Sequence, residues 1–185
     1  MTTYWHRHVH DHFQFHSGRQ NTIFIFHPYS GGRTMGQSLS RVICHSVFST
    51  KDRLPLLRPR LLRDALYGRM ANLLNDMDCL PIRINGVDDH VHGLWCLSRN
   101  LPIKDIFREL KSHSSRWLKQ QDPSLSRFAW QSGYGVFSVD YAGADHVTRY
   151  IDFQEEHHRT TSFQDELRHL AKLHGLEIDE RYAWQ

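Results

Sequence analysis

The sequence predicts an α+β fold: a ferredoxin-like, four-stranded antiparallel sheet with helices on one face, followed by C-terminal helices. Three observations predict it. Short apolar stretches of strand length recur four times after residue 40, at 41–49, 80–85, 90–97 and 134–140. Two longer segments between them, 59–76 and 101–121, carry apolar residues at helical spacing. The resulting order is β-α-β-β-α-β-α-α, and its first six elements match the split βαβ pattern.

Taken in order, Val42, Ile43, Val47 and Phe48 mark the first strand, and Thr50-Lys51-Asp52-Arg53 breaks it. Pro59 suits the first turn of a helix. Leu62, Leu66, Met70, Leu73 and Met77 then form one apolar stripe. Arg58, Arg60, Arg63 and Arg69 lie around that stripe, where a solvated face explains them better than nucleic-acid contacts. Leu80, Ile82 and Ile84 alternate along the second strand. Gly86-Val87-Asp88-Asp89 is turn chemistry, and the third strand starts at His90. Leu101-Pro102 opens a second helix, with Ile103, Ile106, Phe107, Leu110, Ser114, Trp117 and Leu118 on one face. Trp117 fits that core stripe better than a base-stacking platform. Gln121-Asp122-Pro123-Ser124 ends this helix, and Tyr134 to Asp140 is the fourth strand. After Ala142-Gly143 a third helix is expected to run to about His157. A fourth starts near Ser162, with Thr161 and Gln164 as a capping box, Leu167, Leu170 and Leu173 inside, and Gly175 past its end.

Composition bounds the remaining possibilities. Five Trp, ten Phe and seven Tyr supply a core and argue against general disorder. The formal charge of +3, with fifteen His in reserve, suits a nucleic-acid partner without demanding one. Cys44, Cys79 and Cys96 have no C-x-x-C spacing and read as small buried hydrophobes in a reducing compartment. The longest apolar run near the N-terminus, Ile23 to Phe26, is too short for a signal-peptide core or a membrane span, which predicts a cytoplasmic protein with no membrane partner. Residues 1–36 carry six histidines but no useful period, and are expected to be a disordered leader rather than a metal-binding tract. Met35 offers a second possible start, so residues 37–185 are taken as the functional domain.

The chemistry gathers at His90-Val91-His92. Residues two apart on a strand project from the same face, so the two imidazoles form two corners of a divalent-metal site. The pair His8-Val9-His10 lacks flanking apolar alternation to hold its rings in register. Asp89 can orient His90 through a hydrogen bond or cap the turn. On the third helix, Tyr150 and Gln154 are four apart and fall on one face. A tyrosine beside a metal is a possible covalent nucleophile, and a glutamine oxygen is a suitable hard ligand, though Tyr150 also fits a core position. Tyr134, Tyr141 and Tyr182 have no ligand-type residue four positions on and read as structural.

Together with Val47-Phe48-Ser49-Thr50-Lys51, Ser114-Ser115-Arg116-Trp117-Leu118, Phe128-Ala129-Trp130-Gln131-Ser132-Gly133-Tyr134-Gly135, Gln154-Glu155-Glu156-His157-His158 and Asp179-Glu180-Arg181-Tyr182, this pattern resembles the single-tyrosine HUH transposases of bacterial insertion sequences. It is most similar to the REP-associated tyrosine transposases, over roughly residues 37–185. The resemblance implies that His90, His92 and Gln154 hold Mg²⁺ or Mn²⁺ and that Tyr150 is the nucleophile. It implies cleavage of single-stranded or hairpin DNA through a 5′-phosphotyrosine and rejoining by a 3′-hydroxyl. It leaves open a monomer or a homodimer, with the tyrosine serving its own or a partner's site. Lys51, Arg53, Lys111 and Arg116 are the candidate phosphate contacts. The alternative function is a domesticated DNA-binding protein of the same fold without turnover.

Overall fold

Strands β1 (Ile43–Ser49) and β3 (His90–Cys96) form the centre of the sheet, and their alternation decides which face does what. A computed structural model describes residues 39–181 and Ala183, so the expected leader, His8, His10 and Tyr182 lie outside the described residues. β2 (Leu80–Gly86) and β4 (Gly135–Val139) complete a four-stranded antiparallel sheet in the order β2-β3-β1-β4. This is the expected ferredoxin-like topology.

On one face, Cys44, Phe48, Val91 and Trp95 pack against α1 (Arg60–Asp76) and α2 (Ile103–Gln121). Leu66, Met70, Ile106, Phe107, Leu110 and Leu118 from these helices are almost fully buried. Each such side chain contributes about 1.5–3 kcal/mol when taken out of water, so this layer is the main core. Trp117 is partly buried against it, and all three cysteines are free, with burial pushing their thiols up. Leu80 and Ile82 differ from expectation: both are exposed, because β2 is an edge strand whose pairing shifts between Pro81 and Arg83.

The opposite face carries Ile43, His45, Val47, His90, His92 and Leu94, in register across β1 and β3 with Val47 opposite His92. The C-terminal helices cover it: α3 (Ala144–Asp152), α4 (Gln154–His157) and α5 (Phe163–Leu173). Ile151 is buried against Ile43 and Leu94, while Phe163 and Leu170 pack on Val47 and Phe137. The third helix was expected to be continuous, but it breaks at Phe153. At this break the Asn85 Nδ2 on β2 donates to the α3 carbonyls of Ile151 at 2.8 Å and Asp152 at 3.3 Å. The α5 cap also differs. Ser162, not Thr161, accepts from the backbone of Asp165, and Gly175 has the positive φ of 65° expected past a helix end.

Two features fix the turn before His90. Gly86 is required there, because a Cβ would stand 2.2 Å from the His90 carbonyl oxygen. Arg63 is buried instead of solvated: its guanidinium donates to Asp88, to the Leu57 and Arg58 carbonyls, and to Glu155 at 2.6 Å. It therefore ties the turn before His90 to the residue after Gln154. Both carboxylate partners are about half exposed and regain water when the arginine is lost. Arg63→Met is accordingly expected to cost about 2 kcal/mol rather than the larger figure for a fully buried pair. A lower urea midpoint with unchanged slope checks this.

Candidate functional site

The second face of the sheet brings the candidate ligands together. His90 and His92 are 1% and 0% exposed. Each ring is held by the nitrogen that points away from the centre. Asp89 Oδ1 lies 2.6 Å from His90 Nδ1, so Asp89 orients this ring, and His45 Nε2 on β1 lies 3.0 Å from His92 Nδ1. Burial pushes His45 down to about 3, with neighbouring His92 adding to the effect, so it is a neutral ring. Burial likewise lowers His92. With His90 Nδ1 taken by the Asp89 carboxylate, a neutral His90 ring places its lone pair at Nε2.

The Nε2 atoms of His90 and His92 form no hydrogen bond, and neither does Gln154 Oε1; all three are buried. Orphaned polar atoms in a buried pocket are costly unless a further partner belongs there. Two imidazole nitrogens and an amide oxygen are suitable donors for a divalent ion. The residues present therefore fit a metal.

Tyr150 is half-buried beside them, its ring 6.0 Å from that of His92 between centroids. Its hydroxyl donates to Glu166 Oε1. Burial, and then the Glu166 carboxylate, push the phenol well above its usual range, so it keeps its proton. Gln154 Nε2 donates to the same Glu166 oxygen at 3.0 Å. Tyr150 and Gln154 thus meet at one carboxylate although the helix between them is interrupted.

Glu166, His158 and His45 were not anticipated as site residues. Glu166 on α5 is 2% exposed, and its carboxylate faces His90, His92 and His158. Burial alone would raise its carboxyl, but the surrounding imidazoles, His92 foremost, bring it far below the usual carboxylate range. His158 is raised despite burial because Glu166 and the Thr161 carbonyl take its hydrogen bonds. His45→Ala should free the His92 ring and lower Mn²⁺ affinity by about tenfold or more, measurable by calorimetry on a protein with native circular dichroism.

The four basic candidates fall in different places. Arg53 lines a cavity of about 530 Å³ that opens on His90, His158 and Phe163. Lys51 is exposed on the 3₁₀ turn after β1. Arg116 is exposed along a separate groove beside residues 128–132. Lys111 lines that groove too, but its ammonium donates to the carbonyls of Gln131, Ser132 and Gly133. Its three N–H groups are committed to that loop. Tyr134 stacks on Phe107 at 3.7 Å between centroids, and Tyr141 is exposed with the Arg41 guanidinium over its ring. No helix among the described residues is long and apolar enough to cross a membrane.

The sequence model of the family described as "Transposase IS200 like" matches residues 38–154. No curated protein matches the chain. Among solved structures, the chain is similar to a protein from Deinococcus radiodurans designated a candidate transposase, with 21% identity and a TM-score of 0.51. That match covers 68% of this chain and 97% of the other. It is also similar to a REP-associated tyrosine transposase bound to a REP hairpin, with 13% identity and a TM-score of 0.50. That match covers 83% of this chain and 96% of the other.

Proposed function

Because the chain belongs to the IS200-like transposase family, we propose that it cuts and rejoins single-stranded DNA through a covalent link to Tyr150, with a divalent ion held by His90, His92 and Gln154. One observation carries the reading: the buried, unpaired Nε2 atoms of His90 and His92 face the Glu166 carboxylate, which also accepts the Gln154 amide and the Tyr150 hydroxyl. A bound Mg²⁺ or Mn²⁺ would supply Lewis acidity toward a phosphate oxygen.

The chain's own residues do the rest. Asp89 holds the His90 ring in the tautomer that leaves Nε2 free, and His45 orients the His92 ring. Tyr150 Oη bonds to phosphorus while its proton passes to Glu166 Oε1, which already accepts it. The phosphorus–O3′ bond breaks, the departing 3′ oxygen takes a proton from water to become a hydroxyl while Glu166 returns its proton to solvent, and the 5′ phosphate stays on Tyr150. Tyrosine has a pKa near 10, so its phosphodiester can be displaced by the 3′-hydroxyl of another strand. The bond energy is kept in the link, and no nucleotide cofactor is required.

The similarity to a hairpin-bound transposase supports a hairpin DNA with a single-stranded flank as substrate. Arg53 beside the His90 cavity, with the exposed Lys51 and Arg116, supports phosphate contacts along the strand, and Lys111 holds the loop next to Arg116. Three phosphate contacts on a single strand give a log–log salt slope of about −2, so a fourfold rise in salt should weaken binding about 20-fold. A fluorescence-anisotropy titration on hairpin, single-stranded and plain duplex DNA tests this. Equal affinity for a random duplex would count against the reading.

A further inference from the structure

Three imidazoles turn the same nitrogen toward one carboxylate oxygen. Their other nitrogens are engaged: His90 Nδ1 by Asp89 at 2.6 Å, His158 Nδ1 by the Thr161 carbonyl at 2.8 Å, and His92 Nδ1 by His45 at 3.0 Å. A carboxylate and a carbonyl only accept, so the first two Nδ1 atoms carry the ring proton. In a neutral His90 ring Nε2 is then a lone pair, whereas His158 Nε2 is within hydrogen-bonding distance of Glu166 Oε2. The Nε2 atoms of His90, His92 and His158 stand 3.7, 3.3 and 3.2 Å from Glu166 Oε2. All four donor atoms lie within 4.8 Å of one another.

The Nε2 atoms of His90 and His92 are buried and unpaired beside an anionic oxygen, and a cation among these atoms would satisfy all of them at once. The separations also suit one ion. Donors about 2.1 Å from a shared centre stand roughly 3.0 Å apart in octahedral and 3.4 Å apart in tetrahedral arrangement. Gln154, whose Oε1 is buried and unpaired, is held to the same carboxylate through its Nε2 at 3.0 Å.

We propose that Glu166, through Oε2, and His158, through Nε2, ligate the same ion as His90, His92 and Gln154, and that this set selects Mn²⁺ over Mg²⁺. The inference rests on the proposed function for the existence of an ion at the histidine pair. It adds two ligands and a metal preference. Glu166 brings a negative charge to an otherwise neutral donor set. Three imidazoles favour a transition ion over Mg²⁺, which prefers oxygen ligands and retained water. The other carboxylate oxygen, Oε1, accepts the Tyr150 hydroxyl, so one side chain from α5 couples the ion to the nucleophile.

The test is calorimetric titration of the DNA-free full chain with MnCl₂ and with MgCl₂, for the wild type, Glu166→Gln, His158→Ala and His90→Ala. Wild-type affinity for Mn²⁺ should exceed that for Mg²⁺ by at least about tenfold. Glu166→Gln and His158→Ala should each lower Mn²⁺ affinity by about tenfold or more. His158 is less deeply buried, so its variant carries the test should Glu166→Gln fail to fold. If both variants bind Mn²⁺ as the wild type does while His90→Ala does not, this inference is overturned and the proposed function stands. If His90→Ala binds as the wild type does, both fall. Equal wild-type affinity for the two ions overturns the stated preference.

Discussion

Tyr150→Phe is expected to lower cleavage of a hairpin-flanked single strand by about three orders of magnitude or more, as loss of a covalent nucleophile does. The substitution removes one oxygen and keeps the ring. Ile151, buried against Ile43 and Leu94, still fastens α3 to the sheet. Glu166 Oε1 keeps the Gln154 amide at 3.0 Å, so the carboxylate is not left bare. His90, His92 and Gln154 are untouched, so Mn²⁺ and DNA binding should match the wild type. The other described tyrosines cannot readily substitute. Tyr134 lies stacked on Phe107, which belongs to the core on the opposite face of the sheet, and Tyr141 stands exposed under Arg41. Full cleavage with bound metal, or an adduct on either of those residues, would remove Tyr150 from its role.

His90→Ala and His92→Ala should each reduce divalent-ion-dependent cleavage by at least about 100-fold. Their Nε2 atoms are buried and unpartnered, so removing them relieves a desolvation cost while leaving a small cavity. Native circular dichroism with a stability loss of about 1–3 kcal/mol is therefore expected. Chelation of the wild-type protein should reproduce the defect, and added Mn²⁺ should reverse it there but not in the variants. Gln154→Ala should differ, regaining part of its activity at high Mn²⁺ because two imidazoles remain. If instead both histidine variants cleave normally with Mn²⁺, the metal site has been misplaced.

The strand and helix pattern was legible because it is local. Alternation put His90 and His92 on one face of β3, and the stripes on α1 and α2 selected the residues that are now buried. The pieces that were not legible depend on contacts distant in sequence. Glu166 lies in the acidic first turn of α5, where Asp165 and Glu166 read as ordinary helix-start residues. Only the packing of Phe163 and Leu170 on Val47 and Phe137 turns it toward β3. His45 sits within an apolar strand, and nothing nearby marks it as the support of His92. At the break at Phe153 the α3 carbonyls are met by Asn85 of another strand, a contact helical periodicity could not show. Arg63 has the spacing of a surface arginine, and its burial comes from Asp88 and Glu155 closing over it.

The central claim is a covalent bond between Tyr150 and the 5′ end of a cut strand. It is tested most directly by incubating the full chain with Mn²⁺ and a hairpin-flanked single strand, digesting the product, and mapping the modified peptide by mass spectrometry. A nucleotide attached through phosphate to Tyr150, absent from Tyr150→Phe and from chelated samples, is the expected result. Cleavage that yields a free 5′-phosphate with no adduct at any stage, or an adduct on another residue, would contradict the account.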